Sequence, residues 1–266
     1  MAAKITILDL QDMKERGEKI TMLTAYDYPT SRILDGCGIE VLLIGDSVGN
    51  AMMGLDNTLP VTVDEMIYHT RAVVRGRKRA LVVADMPFMS YQVSIEQAKR
   101  EAGRMIKEGG AEAVKLEGGE VMEDVVRAIC DIDIPAMGHI GLTPQSVHRM
   151  GGYKVQGREE RQRKKLLADA KAVERAGAFC VVLEAIPAAL AAEITRTLRI
   201  PTIGIGAGVN CDGQVLVIHD LLGISGAFRP KFVKQYANLE AAITKAVTSY
   251  LSEVKKKRFP SAKHSF

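Results

Sequence analysis

Four acidic residues each close an apolar segment of the 266-residue sequence. Asp46 ends VLLIGD, Asp85 ends ALVVAD, Glu117 ends AVKLE and Glu184 ends FCVVLE. If these segments are parallel strands that close into a barrel, the four carboxylates meet at its carboxyl-end mouth, where barrel enzymes place their active sites. Carboxylates in an apolar interior are costly unless a cation neutralises them. Oxygen ligands favour a hard ion, so the pattern predicts a Mg²⁺ site.

The spacing of the acids indicates a repeating unit. Along the chain they are separated by 39, 32 and 67 residues, and the last separation is about twice the others. For any single acid the alternative is that it caps the following helix or pairs with a nearby arginine. The equivalent positions of all four favour a shared site.

Three further side chains are predicted to join the acids. Lys115 lies two residues before the acid of its own strand, so both side chains point to the same side. Strand alternation also places His139 at the mouth, and Ser47 directly follows Asp46. A metal that chelates a 2-oxo acid would stabilise its enolate, and a desolvated carboxylate could remove the proton. Alternatively, Lys115 could form a Schiff base, although neighbouring acids should keep it protonated.

Eight apolar segments are predicted as strands. They are nearly continuously hydrophobic, as strands buried on both faces of a parallel sheet should be. The segments are ITMLTAYD (20–27), VLLIGDSVG (41–49), ALVVADMP (80–87), AVKLEGG (113–119), IPAMGHIGL (134–142), FCVVLEAIP (179–187), IPTIGIGAG (200–208) and VLVIHD (215–220).

Helix signals separate these segments. Thr62 with Glu65, and Ser94 with Gln97, have the spacing of capping boxes. Eight strands alternating with helices predict an α/β protein with a single-domain (β/α)₈ barrel over residues 1–254, which includes an N-terminal helical segment. A doubly wound open sheet is the competing fold, but its GxGxxG fingerprint is missing. The long polar stretch 141–160 is predicted to be a lid or binding loop.

Composition limits the classes of function. The net charge of +4 is local, because the segment after Val254 contains four Lys, one Arg and no acid. We therefore expect residues 255–266 to form a basic, flexible tail, and we expect neither nucleic-acid nor membrane binding. No apolar run reaches the length of a membrane span, and the N-terminus is charged where a signal peptide is apolar. These features predict a cytoplasmic protein.

Ordered motifs cover nearly the whole chain. They are LTAYD, GDSVGN, TLPVTVDEMIYHT, VVADMPF, AVKLEGG, GHIGLTPQSV, GGYKVQGR, VLEAIP and IPTIGIGAG followed by DGQVLVIHD. In these motifs the sequence resembles the ketopantoate hydroxymethyltransferase family. Only the first residues and the basic tail lie outside them.

The resemblance implies a barrel enzyme that binds Mg²⁺ and transfers a one-carbon unit from 5,10-methylenetetrahydrofolate to 3-methyl-2-oxobutanoate. The product would be 2-dehydropantoate, on the route to pantothenate and coenzyme A, formed through a Mg²⁺-stabilised enolate. The family also implies a homodecamer, a pentamer of dimers. The match of motifs implies a role for each site residue. Asp46 and Asp85 would bind the metal and lie near the substrate, and Glu117 would bind the metal directly or through water. Ser47, Lys115 and His139 would contact the oxo acid, and Glu184 would be the base.

Besides a metal-free Schiff-base aldolase that acts through Lys115, two other functions stay open from the sequence. One is a different Mg²⁺-dependent C–C lyase or mutase that acts on 2-oxo acids. The other is a polyanion-binding or scaffold protein that acts through the KKKR segment of the tail.

Overall fold

The fold is built around one closed barrel. The computed structural model describes residues 3–224 and 230–266. Two compact units are present; the first ends at Val217 and the second covers Ile218–Phe266. The first unit contains eight parallel strands, each paired with the next in chain order and the eighth with the first. The strands are β1 (Ile20–Thr24), β2 (Val41–Ile44), β3 (Leu81–Asp85), β4 (Ala113–Glu117), β5 (Ala136–Gly141), β6 (Cys180–Glu184), β7 (Thr202–Ile205) and β8 (Gly213–Leu216). The predicted (β/α)₈ barrel is confirmed.

The α-helices make up just under half of the described residues outside the strands. In the first unit they are α1 (Ile7–Glu15), α2 (Tyr28–Gly36), α3 (Val48–Ala51), α4 (Val63–Gly76), α5 (Ile95–Arg104), α6 (Glu123–Cys130), α7 (Val147–Met150), α8 (Glu160–Arg175) and α9 (Ala188–Thr197). The second unit contains α10 (Ile218–Leu222) and α11 (Leu239–Lys255). Among the described residues, no helix combines the length and apolar character needed to cross a bilayer.

The two predicted capping boxes have different outcomes. Thr62 and Glu65 form both reciprocal bonds at the start of α4. Ser94 accepts from the Gln97 backbone N at the start of α5, but the Gln97 side chain donates to the Met89 carbonyl instead of returning to the cap. The Ser94 cap is therefore one-sided.

Strand β8 begins earlier and ends earlier than predicted. The sequence placed it at 215–220, whereas it runs from Gly213 to Leu216, and Ile218–Leu222 is helical. Gly213 pairs with strands on both sides, and a Cβ there would lie 2.5 Å from the Ile20 carbonyl oxygen. Glycine is ordinarily depleted in strands, so the sequence did not indicate that the strand begins at Gly213, where a neighbouring backbone comes close.

The predicted domain limits, 1–254 for the barrel and 255–266 for a flexible tail, stay predictions. Lys255 is the last residue of α11, and Ala262–His264 forms a turn of 3₁₀ helix.

An apolar column fills the barrel below its carboxyl-end mouth. Leu10 of α1 is fully buried and belongs to the same cluster. The strand residues of the column are Ile20, Met22, Val41, Leu43, Leu81, Val83, Ala113, Met137, Cys180, Val182, Ile203 and Val215. Because side chains alternate along a strand, the arrangement that places Leu81 and Val83 inside also places Asp85 inside. The column therefore determines which polar residues face the lumen above it.

Candidate active site

Strand alternation brings five of the predicted site residues into the barrel lumen. Asp85, Lys115, Glu117, His139 and Glu184 each continue the inward row of their strand by one or two steps above the apolar column. The register places Asp85 beside Lys115, and Glu117 beside His139. All five except Glu184 are buried, and the Glu184 side chain is 15% exposed. The acids thus meet at one mouth.

Asp46 reaches this group from a turn and not from a strand. Strand β2 ends at Ile44, two residues earlier than the acid that was predicted to close it. The Asp46 backbone N–H donates to Asp85 Oδ2 at 3.1 Å, which ties the turn to β3. Asp46 is buried, with 4% of its surface exposed.

Ser47 is held by a buried tyrosine. The Ser47 Oγ and Tyr26 Oη atoms lie 2.8 Å apart, and Tyr26 is buried. Burial raises the pKa of Tyr26, so its phenol stays neutral. A Cβ at Gly45 would lie 2.5 Å from Ser47 Oγ, so a larger residue at position 45 would displace the Ser47 hydroxyl from this position.

Lys115 is the central cation of the site. Its Nζ lies 3.0 Å from Asp85 Oδ1. Burial acts to lower the pKa of Lys115, but the charges of Asp85, Glu117 and Asp46 outweigh burial and raise it. The amine is therefore protonated at neutral pH, which argues against the Schiff-base role.

His139 lies between Lys115 and two acids. Its Nδ1 is 3.2 Å from Lys115 Nζ and 3.5 Å from Glu117 Oε1, and its Nε2 is 3.2 Å from Glu184 Oε2. The Nε2 contact lacks hydrogen-bond alignment. Burial and Lys115 act to lower the pKa of His139, but Glu117 and Glu184 raise it to about 9. The imidazole is therefore in its charged form, with a proton on both ring nitrogens, at neutral pH.

The site as a whole carries an excess of negative charge. Four carboxylates face two cations, Lys115 and protonated His139. Burial, with the charges of Asp85 and Glu117, raises the pKa of Asp46 to about 7. The donor set is composed of hard oxygen atoms, which fits Mg²⁺. In the described part of the chain no group of three or more acidic, His or Cys side chains is already gathered as a metal site.

The chain turns sharply after Glu184. Ala185 is a non-glycine residue with φ of 47° and is buried. Its backbone N donates to the Ile205 carbonyl, and its own carbonyl accepts from the Gln156 backbone N. Backbone strain of this kind clusters at functional sites.

Sequence reasoning missed three residues of the site. Gln145 and Tyr91 are buried and contact the acids, and Tyr153 is half-exposed. Burial, followed by the charges of Asp46 and Glu184, raises the pKa of Tyr153, which lies in the long loop after β5. Gln145 lies in the motif GHIGLTPQSV, so the motif itself was the available signal.

The barrel and its acidic mouth define a class, the (β/α)₈-barrel enzymes. Solved structures with this fold include phosphoenolpyruvate phosphomutase from Streptomyces platensis subsp. rosaceus (TM-score 0.63, 13% identity, 94% of this chain and 88% of that chain). Another is phosphonopyruvate hydrolase in complex with oxalate and Mg²⁺ (TM-score 0.61, 11% identity, 98% and 93%). A third is 2,3-dimethylmalate lyase, a PEP mutase/isocitrate lyase superfamily member (TM-score 0.60, 15% identity, 96% and 89%). At these identities the likeness establishes the fold alone.

Sequence comparison establishes the family. The family model described as ketopantoate hydroxymethyltransferase matches residues 4–262. The chain is 65% identical to 3-methyl-2-oxobutanoate hydroxymethyltransferase of Geobacter metallireducens over 266 residues, the full length of both chains. It is 64% identical to the enzyme of the same name from Geobacter sulfurreducens over 261 residues, 98% of each chain. The chain therefore belongs to the ketopantoate hydroxymethyltransferase family and is an enzyme, as the motifs predicted.

Proposed function

We propose that this enzyme transfers a hydroxymethyl group from 5,10-methylenetetrahydrofolate to 3-methyl-2-oxobutanoate, and that the products are 2-dehydropantoate and tetrahydrofolate. The relatives that share its full length carry the corresponding name. The observation that carries the proposal is the convergence of Glu184, His139 and Lys115 with three buried acids at one barrel mouth. The place in pantothenate synthesis, the cytoplasmic location and the decamer stay predictions.

Asp46 and Asp85 would hold Mg²⁺, with Glu117 near the ion or linked to it through water. The fit rests on the excess of carboxylates over cations and on their burial. A divalent ion would match the net charge left by four carboxylates, Lys115 and His139. Bound there, Mg²⁺ would supply Lewis-acid stabilisation of the substrate enolate.

Lys115, His139 and Ser47 would bind the 2-oxo acid. Lys115 and His139 are protonated donors that face the same lumen, so they suit the carboxylate and the oxo oxygen of the substrate. Ser47, fixed by Tyr26, offers a hydroxyl at the edge of the same group. These contacts orient the substrate with its C3 carbon toward the remaining acid.

Glu184 would be the general base. Its side chain is more exposed than those of Asp85 and Glu117, and its contact with His139 is made through one carboxylate oxygen, Oε2. Glu184 takes the C3 proton, which leaves a carbon nucleophile. Water adds to the methylene carbon of the folate, both C–N bonds of that carbon break, and the two nitrogens take the protons of the water, so that tetrahydrofolate leaves and formaldehyde keeps the oxygen. The carbon nucleophile then adds to the formaldehyde carbon, and the C=O electron pair moves to the oxygen, which takes the proton back from Glu184 and becomes the hydroxyl of the product.

Deuterium exchange at C3 of 3-methyl-2-oxobutanoate, with Mg²⁺ and without folate, tests the base assignment. General acid–base catalysis contributes roughly 10²–10⁴-fold, so Glu184→Gln should lower the exchange rate by about that factor. Glu159→Gln is the matched control, because Glu159 is exposed and its side chain makes no capping bond to the described residues at the start of α8. Exchange by Glu184→Gln at the wild-type rate would show that another group is the base.

Product analysis separates the proposed transferase from a lyase or mutase of the same fold. With the wild-type enzyme we expect 2-dehydropantoate only when methylenetetrahydrofolate is present. Conversion of the 2-oxo acid without folate would contradict the transferase and favour the other class.

A further inference from the structure

We propose that Gln145 is a positioning residue that fixes the orientation of two carboxylates, Asp46 and Glu117, for metal binding. Gln145 lies in the loop after β5 and is buried, with 7% of its surface exposed. The inference rests on the proposed function, because it assumes that these acids hold Mg²⁺. No role follows for Gln145 from strand alternation, since the residue is outside every strand.

All four hydrogen-bonding positions of the Gln145 side-chain amide are filled. Oε1 accepts from Tyr91 Oη at 2.7 Å and from Gln92 Nε2 at 3.1 Å. Nε2 donates to Asp46 Oδ2 at 2.9 Å and to the Met86 carbonyl at 3.0 Å. The two donors on one side and the two acceptors on the other determine which way the amide faces. Gln145 therefore presents an N–H group, and never its oxygen, to Asp46.

The backbone of the same residue contacts the second acid. Gln145 N donates to Glu117 Oε2 at 3.0 Å. One residue thus binds one oxygen each of Asp46 and Glu117, which come from the turn after β2 and from the end of β4. The second oxygen of each carboxylate remains for other partners; that of Glu117 is 3.5 Å from His139 Nδ1. Hydrogen bonds from neutral donors to carboxylates are charge-assisted and directional, so they select one rotamer of each acid.

Tyr91 orients the Gln145 side chain through a hydrogen bond. Its hydroxyl accepts from the Glu117 backbone N at 3.1 Å and donates to Gln145 Oε1. Tyr91 is buried, with 1% of its surface exposed. The tyrosine therefore links the end of β4 to the loop that carries Gln145.

The local backbone directs the loop back over the mouth. Gly141 ends β5 with φ of 98°, and a Cβ there would lie 2.3 Å from the Glu184 carbonyl oxygen. Leu142 N donates to the same carbonyl, and Pro144 begins a turn of 3₁₀ helix that contains Gln145. The loop is thus fixed at both of its contacts with the site, and Gln145 is held rigidly enough to act through the acids.

The test measures Mg²⁺ binding directly by isothermal titration calorimetry of the full-length enzyme. Partners that orient metal ligands typically contribute 10–100-fold in metal affinity. We expect Gln145→Met, which keeps the shape and removes the amide, to raise the Kd for Mg²⁺ by about that factor. Gln156→Met is the matched control and should leave the Kd unchanged. Gln156 lies in the same loop, and its side chain donates to the Lys154 carbonyl and to none of the site residues described above.

Two additional measurements keep the inference falsifiable. Tyr91→Phe retains Gln145 but removes the hydroxyl that orients it, so we expect a smaller rise in the same Kd. If the role is positioning, C3 exchange by Gln145→Met should approach the wild-type rate at saturating Mg²⁺, whereas general damage to the fold would lower the rate at every concentration.

The wild-type titration is evaluated first. Absence of Mg²⁺ binding by the wild-type enzyme overturns the metal part of the proposed function, and the inference with it. Equal Kd values for wild type and a folded Gln145→Met variant overturn the inference alone. If Gln145→Met does not fold, an unchanged Kd in Tyr91→Phe overturns it in the same way.

Discussion

Replacing Asp46 by asparagine should make the metal-free enzyme more stable while it removes a proposed metal ligand. Asp46 is buried beside Asp85 and Glu117, and burial with these two charges raises its pKa from 3.8 to about 7. The asparagine side chain would have nearly the same shape, and its amide oxygen could still accept the bond from Gln145. The variant therefore removes a buried charge without opening a cavity.

The magnitude follows from the pKa of Asp46 in the folded and unfolded chain. The folded state holds the Asp46 proton more tightly, so the stability it contributes is full below pH 3.8 and is lost as pH rises to about 7. A rise from 3.8 to about 7 corresponds to a loss of ~4 kcal/mol at pH 8. At pH 5.5 the same relation gives ~2 kcal/mol. The advantage of Asp46→Asn should accordingly be about 2 kcal/mol larger at pH 8 than at pH 5.5.

Chemical denaturation in EDTA at the two pH values provides the measurement. Asp56→Asn, an exposed aspartate in the loop after α3, is the control and should change the free energy of unfolding by less than ~0.5 kcal/mol. Saturating Mg²⁺ should then stabilise the wild type by about 2.7 kcal/mol at a hundredfold excess over Kd, and should not stabilise Asp46→Asn. A variant no more stable than the wild type at pH 8, or one whose advantage does not change with pH, would falsify the electrostatic argument.

Two further predictions follow from other contacts. Because Asp85 and its neighbours raise the pKa of Lys115, borohydride with 3-methyl-2-oxobutanoate should not inactivate the enzyme; inactivation with a reduced adduct on Lys115 would instead support Schiff-base chemistry. Gly138→Ala should lower the free energy of unfolding by about 1–3 kcal/mol, because its Cβ would lie 2.4 Å from Val173 Cγ1 between β5 and α8. Gly103→Ala in α5 is the control, because no described atom lies within 4 Å of the added Cβ. Its better helix propensity should raise the free energy of unfolding by about 0.5–1 kcal/mol in the same denaturation experiment. Equal effects of the two substitutions would contradict the packing argument.

The barrel could be predicted because its strands are apolar on both faces. Each strand contacts the helices on one side and the central column on the other, so continuous hydrophobicity distinguishes it from the amphipathic helices. The limits of β8 were predicted wrongly for a different physical reason. The backbone of β1 and the Ile203 side chain of β7 approach Gly213 too closely for a larger residue, and the hydrophobic pattern of the sequence does not record such an approach.

The site could be predicted where strand geometry determines side-chain direction. Asp85, Glu117 and Glu184 are the last residues of β3, β4 and β6, so alternation with an apolar column places each of them inside. Gln145 and Tyr91 lie in loops, where successive side chains have no fixed direction. Their contacts depend on the path of the whole loop. The motif GHIGLTPQSV could have singled out Gln145, whereas Tyr91 lies outside the motifs that carry the resemblance.

The apolar column is itself part of the functional argument. It excludes water from beneath the acids, so their charges interact through a medium less polar than solvent. The same burial that raises the pKa of Asp46 also strengthens the attraction of the acids for a dication and for the cationic Lys115. Replacing the column by polar residues would therefore weaken both the repulsion among the acids and their affinity for an ion. The stability of the metal-free mouth and the proposed binding of a metal ion are therefore opposed, because both depend on the exclusion of water.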